Sequence, residues 1–251
     1  MPAARGSTSR KRTRDDWAWD SRKRRRVRPT TSAIPRGPRG RRPSLQVDQD
    51  VYAGPTLVEV PAVGGIVGIM TNFMRGSDES ARHTAETILY KIGIDVYVTV
   101  SEALTVYSGK GVNVAWLVYD AQPTGTRPTC ADIFPLASPN FNTQPCVWKV
   151  GREVCHRFVV KRRWLFTLET NGVRPGTSFS GANGVPPCNR SLYFHKFCKR
   201  LGVRTEWKNT PGGTDGDIKT GALYLVFAAG NKMSFSVSGV CRKYFKSVGN
   251  Q

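Results

Sequence analysis

Residues 91 to 100 read KIGIDVYVTV. Ile92, Ile94, Val96, Val98 and Val100 recur at every second position, and Lys91, Asp95 and Thr99 take alternate ones. Successive side chains of a strand point to opposite faces, so this pattern predicts a half-buried β-strand. The β-branched side chains, stiff at χ1, reinforce that reading.

Outward from this segment the same signal returns between clusters of Gly, Pro and Asn. Residues 112 to 119, VNVAWLVY, are apolar on both faces and suit a central strand. Residues 158 to 168 form a long β-rich run that contains Lys161, Arg162 and Arg163. Residues 191–197, 222–227 and 233–240 add three more strands, and 56–60 and 66–70 are weaker ones. Turn-rich stretches at 122–128, 171–189 and 210–217 separate them, and Gly109-Lys110-Gly111 reads as a turn. DESARHTAETI, residues 78 to 88, carries good helix formers and predicts one short helix. About eight strands with long loops predict an all-β protein, a sandwich or barrel, and an eight-stranded jelly roll satisfies the count.

Composition divides the chain near Pro43. The 251 residues carry a formal net charge of +20. Residues 1–43 hold 15 Lys and Arg against three acids, a net +12, and residues 44–251 hold 23 against 15, a net +8. The first segment is poor in apolar residues, and Pro29, Pro35, Pro38 and Pro43 forbid a continuous helix through its second half. It cannot bury enough surface to offset the entropy of ordering, so a disordered basic arm is expected at 1–43 and a folded β domain at 44–251. A short helix around residues 10–28 on binding stays open.

The arm holds two basic clusters: Arg10, Lys11, Arg12 and Arg14, then Arg22, Lys23, Arg24, Arg25 and Arg26, followed by Arg28. Flexible cations neutralise phosphates without reading bases and gain affinity by counterion release, so these residues are the expected DNA contacts. The pair Arg10–Arg12 and Arg22–Arg26 also has the form of a bipartite nuclear localisation signal. A tail serving only solubility has no need of such one-signed density. Trp17 and Trp19 lie between the clusters. Their indoles suit either stacking on exposed bases or anchoring the arm at the body or a subunit contact. In the body, Lys161, Arg162 and Arg163 predict a second basic patch, with His195, Lys196, Lys199 and Arg200 as a further layer. The bland alternative is an ordinary wet sheet face.

Other chemistries find little support. Cys188, His195 and Cys198 bring three metal-ligating types within eleven residues, yet no pair has the short spacing of a structural zinc site. Buried thiols and a satisfied histidine are expected instead, and no cofactor. The six cysteines are scattered and are expected to be reduced. No phosphate-loop, nucleophile-elbow or zinc-protease motif occurs, so no catalytic residue and no enzyme activity is expected. No apolar run approaches the roughly 18 residues that span a bilayer, and the basic N-terminus lacks the apolar stretch of a secretory signal.

Ordered segments of the body resemble the coat proteins of geminiviruses, in particular the mastrevirus, leafhopper-borne type. They include Pro43-Ser44-Leu45-Gln46, Gly76-Ser77-Asp78-Glu79, Arg82-His83-Thr84 and Tyr90-Lys91-Ile92. Further on come Trp116-Leu117-Val118-Tyr119-Asp120, CHRFVVKRRWLF at 155–166 and Tyr193-Phe194-His195-Lys196-Phe197. LGVRTEWKN at 201–209, Gly221-Ala222-Leu223-Tyr224 and the terminal YFKSVGNQ at 244–251 complete the match. The resemblance implies a jelly-roll subunit that self-assembles into a twinned, incomplete icosahedral virion around circular single-stranded viral DNA. It also implies entry into the host nucleus through the import machinery, transport with a viral movement protein, and recognition by insect vector factors. It implies no enzymatic activity. The arm matches only as an Arg-rich class, and zinc binding discussed for other genera is not carried over. A nuclear shuttle protein that binds viral DNA without forming a shell is the alternative.

Overall fold

A computed structural model describes residues 45–173 and 187–249. The basic arm, with both its clusters and Trp17 and Trp19, lies outside the described residues, as do 174–186 of the turn-rich stretch. Among the described residues there are eleven strands: β1 (Gln46–Tyr52), β2 (Val58–Val60), β3 (Ile66–Ile69), β4 (Glu86–Val100), β5 (Ser108–Asp120), β6 (Phe158–Asn171), β7 (Ser191–Cys198), β8 (Val203–Trp207), β9 (Ile218–Thr220), β10 (Ala222–Ala228) and β11 (Phe235–Val248). The one α-helix, α1 (Cys130–Ile133), is a single turn, capped by Thr129 whose hydroxyl accepts from the Asp132 amide. Among the described residues no helix is long and apolar enough to cross a membrane.

All strand pairs are antiparallel and fall into two sheets. In the first, β11 runs along one edge of β4, β7 and β8 share the other edge, and β1 and β2 share the far side of β11. The second has the order β3-β10-β5-β6. With β1/β2 and β7/β8 each taken as one broken strand, and β9 as an extension beside β8, eight strand positions remain. Numbered along the chain they run 1-8-3-6 in one sheet and 2-7-4-5 in the other, which is jelly-roll connectivity. The expected fold class therefore stands, while short breaks raise the strand count from about eight to eleven.

Ile92, Ile94, Val96 and Val98 of β4 are buried to within 1% exposure, on the face the period-two pattern assigned to the core. Opposite them, Phe166 of β6 meets Phe194 and Phe235 from the first sheet, and Trp164 meets Phe194 edge-on at 5.8 Å. β5 and β10 are buried on both faces, because the segment between β5 and β6 folds back over the second sheet. Trp148 of that segment lies parallel to Trp116, with ring centres 6.0 Å apart, and Phe134 packs on Trp116 at 4.8 Å. Its polar ends are pinned by Arg157, which grips the fully buried Asp120 through two bonds of 2.9 and 2.8 Å. Arg127 donates twice to one oxygen of Asp215, at 3.1 and 2.9 Å.

Two local expectations are overturned. Residues 78–88 form no helix: the stretch up to Ala85 is turns with a bridge from Arg75 to Arg82, and β4 begins at Glu86. Tertiary contacts outweigh propensity here. The fully buried Arg82 donates to the carbonyls of Phe73, Thr210 and Gly212 and stacks over Trp207 at 4.6 Å. Gly109-Lys110-Gly111 is not a turn but lies within β5, paired with Thr170, Glu169 and Leu168. Its glycines serve packing, since a Cβ at Gly111 would fall 2.7 Å from the Gly230 carbonyl oxygen.

One buried charge cluster fastens β1. Lys243 of β11 is fully buried, with its ammonium 2.6 Å from Asp48 and 2.9 Å from Asp50, and its third donor reaches the Asn72 side-chain oxygen. Asn72 in turn donates to Asp50 at 3.1 Å. Every ammonium hydrogen is thereby satisfied, as a buried cation requires.

Candidate nucleic-acid interface

Lys161, Arg162 and Arg163 sit on β6, the outermost strand of the second sheet. Arg162 is opposite Leu117 and Val160 opposite Val118, so Lys161 is the extra residue of a β-bulge. A bulge re-aims side chains. Here it sets the Lys161 ammonium 5.0 Å over the Tyr119 ring. Arg162 donates to the Lys161 carbonyl at 2.7 Å, and Arg163 to the carbonyl of Cys146. These bonds use backbone oxygens and leave the three charges uncompensated.

The layer expected around β7 splits. Lys196 lies over Phe194 at 5.5 Å, and its ammonium and the Arg162 guanidinium are both close enough to Cys198 to favour that thiolate. Burial, the larger effect, still pushes the Cys198 thiol up. Lys199, just beyond the strand, lies over Phe197 at 5.5 Å, and Arg200 follows in a left-handed conformation. His195 turns to the other face of the sheet and pairs through Nδ1 with Asp95. Thus Arg162 and Lys196 converge near Cys198, and His195 does not join them.

The same alternation separates the would-be metal ligands. His195 is exposed on one face of β7, Cys198 is buried on the other, and Cys188 lies before the strand. Among the described residues no three His, Cys, Asp or Glu side chains gather as a metal site. All six cysteines are free thiols, and burial pushes those of Cys130 and Cys241 up to about 12, which makes them poor nucleophiles.

Cations of the body therefore sort into two kinds. Arg127, Arg157, Arg204, Lys110, Lys219 and Lys243 are matched by carboxylates that tie the fold together. Lys161, Arg162, Arg163, Lys196, Lys199 and Arg200 have no carboxylate partner among the described residues. An unmatched set has charge to offer a polyanion. The sequence profile of the geminivirus coat protein/nuclear export factor BR1 family matches residues 2–251.

The chain belongs to that family. It is 52% identical over 251 residues to the capsid protein of Panicum streak virus (isolate Kenya), covering 98% of this chain and 99% of that protein. It is 47% identical over 246 residues to the capsid protein of Maize streak virus genotype D (isolate Raw), covering 98% and 100%. It is also 47% identical over 247 residues to that of Maize streak virus genotype A (isolate Kenya), again covering 98% and 100%. These are mastrevirus capsid proteins, and they bear out both the mastrevirus-type resemblance and the capsid-subunit reading. A capsid subunit's role is structural.

Sequence reading missed part of the family body's surface chemistry. Tyr193 and Phe197 share the outward face of β7 with His195, and Tyr97 stands beside them on β4. The period-two spacing of Tyr193, His195 and Phe197 was the available signal. Phe194, between them, is equally aromatic, so the sequence alone does not say which face of β7 is outward.

Proposed function

We propose that the chain encloses circular single-stranded viral DNA in a virion, with a division of labour between two parts. The basic arm, residues 1–43, condenses DNA through Arg10, Lys11, Arg12, Arg14, Arg22, Lys23, Arg24, Arg25, Arg26 and Arg28. The jelly roll of residues 44–251 makes the wall and adds Lys161, Arg162 and Arg163 as further phosphate contacts. The observation that carries this reading is 52% and 47% identity to capsid proteins over nearly the full length, together with the set of unmatched cations on the jelly roll. No cofactor and no catalytic residue enter the role. Electron microscopy of the purified chain mixed with circular single-stranded DNA tests it. Closed particles are the expected result, and filaments or open aggregates alone would favour a shuttle protein.

The clusters Arg10–Arg12 and Arg22–Arg26 also serve as the nuclear entry signal, engaging the host import machinery. Transport then proceeds with a viral movement protein, and exposed loops of the particle meet insect vector factors. Replacing Arg22 through Arg26 by Ala is expected to disperse a fluorescent fusion from the nucleus into the cytoplasm. Full nuclear retention of that variant rejects the assignment.

A further inference from the structure

The outer face of the first sheet carries rings that no other described part of the chain covers. β7 presents Tyr193, His195 and Phe197 at alternate positions, about 6.8 Å apart along the strand. Pairing sets Tyr97 beside Tyr193, Asp95 beside His195 and Gly93 beside Phe197, and β11 extends these rows with Ser238, Val240 and Arg242. Tyr193 is 64% exposed, Tyr97 48% and Phe197 45%. Large aromatics left this open on two rows, with His195 on the row between them, call for a partner.

The rings are held in position. Asp95 accepts from the Tyr193 hydroxyl at 3.1 Å and pairs with His195, and the His195 bond is the main cause of an Asp95 carboxyl below its ordinary range. The Tyr193 and His195 rings stand nearly parallel, 16° apart in tilt with centres 6.0 Å apart. The Phe197 ring lies over Gly93, where a Cβ would sit 3.4 Å from it. Phe197 meets Tyr244 edge-on at 6.0 Å.

Charge decides what these rings receive. The one carboxylate of the rows, Asp95, is already engaged by two donors. Lys91, Lys199 and Arg242 around it have no carboxylate within ion-pair distance among the described residues. Lys199 lies over the Phe197 ring, and Arg242 is steadied by Gln49 at 3.0 Å. Flat apolar surfaces framed by unmatched cations complement a single strand, whose bases stack and whose phosphates need neutralising. β1, the strand that follows the basic arm in sequence, belongs to this same sheet.

We propose that this face is a base-stacking site for single-stranded DNA. Tyr193, Phe197 and Tyr97 receive bases, and Lys91, Lys199 and Arg242 hold the flanking phosphates. The assignment rests on the reading of the chain as a DNA-packaging subunit. Its test is a salt titration of full-length chain with oligo(dT), comparing the natural sequence with a Tyr193→Ala/Phe197→Ala variant. Stacking is not ionic, so affinity is expected to fall about tenfold or more while the salt slope stays the same. Unchanged affinity overturns the proposal, as does a variant that binds DNA normally but fails to assemble, because a second copy would then cover the face. Absence of DNA binding by the natural chain would instead reject the packaging reading on which the proposal stands, and the proposal with it. A second measurement needs no variant: an abasic oligomer of equal length, with the same phosphates, is expected to bind the natural chain at least tenfold more weakly. Equal binding overturns the assignment.

Discussion

A chain shortened to residues 44–251 is expected to remain folded and to bind single-stranded DNA about a thousandfold more weakly near physiological salt. The body keeps its net +8, so weak binding persists, but the arm's net +12 is gone. If the arm meets about ten phosphates and the jelly roll about three, the full chain loses about nine decades of affinity per decade of salt, and the shortened chain only about two. A filter-binding series across salt concentrations reads both quantities. Equal slopes for the two chains would place the phosphate contacts in the jelly roll and defeat the division of labour proposed here. A parallel loss of the folded signal in circular dichroism would show that the arm is needed for the fold itself.

Lys243→Ala is expected to destabilise the jelly roll by about 3–5 kcal/mol, because it strands two carboxylates around an empty site. Asp48 and Asp50 are both within 3 Å of the ammonium, and Asn72 loses its donor at the same time. The triple change Lys243→Met, Asp48→Asn, Asp50→Asn is expected to regain much of that loss, since it removes the whole charge cluster instead of one partner. Urea unfolding at fixed protein concentration measures both. A cost under about 1 kcal/mol for Lys243→Ala would mean that water reaches the cluster and that β1 is fastened by its backbone ladder instead.

The same cluster explains why β1 escaped detection in the sequence. QVDQDVY places Asp48 and Asp50 on the inward face, where the period-two test looks for apolar residues. Their partner, Lys243, lies nearly two hundred positions away, so no local signal marks them as buried. By contrast β4, β5, β6, β7, β10 and the first half of β11 were legible, because their inward faces are mostly aliphatic or aromatic; the second half of β11, which carries the buried Lys243, was not. β8 did carry the alternation, with Val203, Thr205 and Trp207 buried and Arg204 and Glu206 outward. Its five residues were too short to separate from the turns around them. The helix expected at 78–88 failed for a similar reason: Arg82 is a helix former by propensity, yet it is a buried clamp on carbonyls far along the chain.

For the interface, the identity of the body's cations was legible and their directions were not. His195 and Lys196 are neighbours in sequence and point to opposite faces of β7. The bulge that re-aims Lys161 depends on a register with β5 that only pairing reveals. Residue type sufficed to find the charge, and three-dimensional pairing was needed to find which charges are matched.

That bulge has a further consequence for how copies of the subunit meet. β6 leaves a long row of backbone groups at the margin of its sheet, and such a margin invites a second copy to continue the ladder without end. The extra residue breaks the hydrogen-bond rhythm near the start of the strand, and three adjacent positive charges repel an identical margin brought alongside. Growth as an open ribbon is thereby discouraged. Association is left to surfaces and loops, whose fixed angles allow a finite, closed count of subunits.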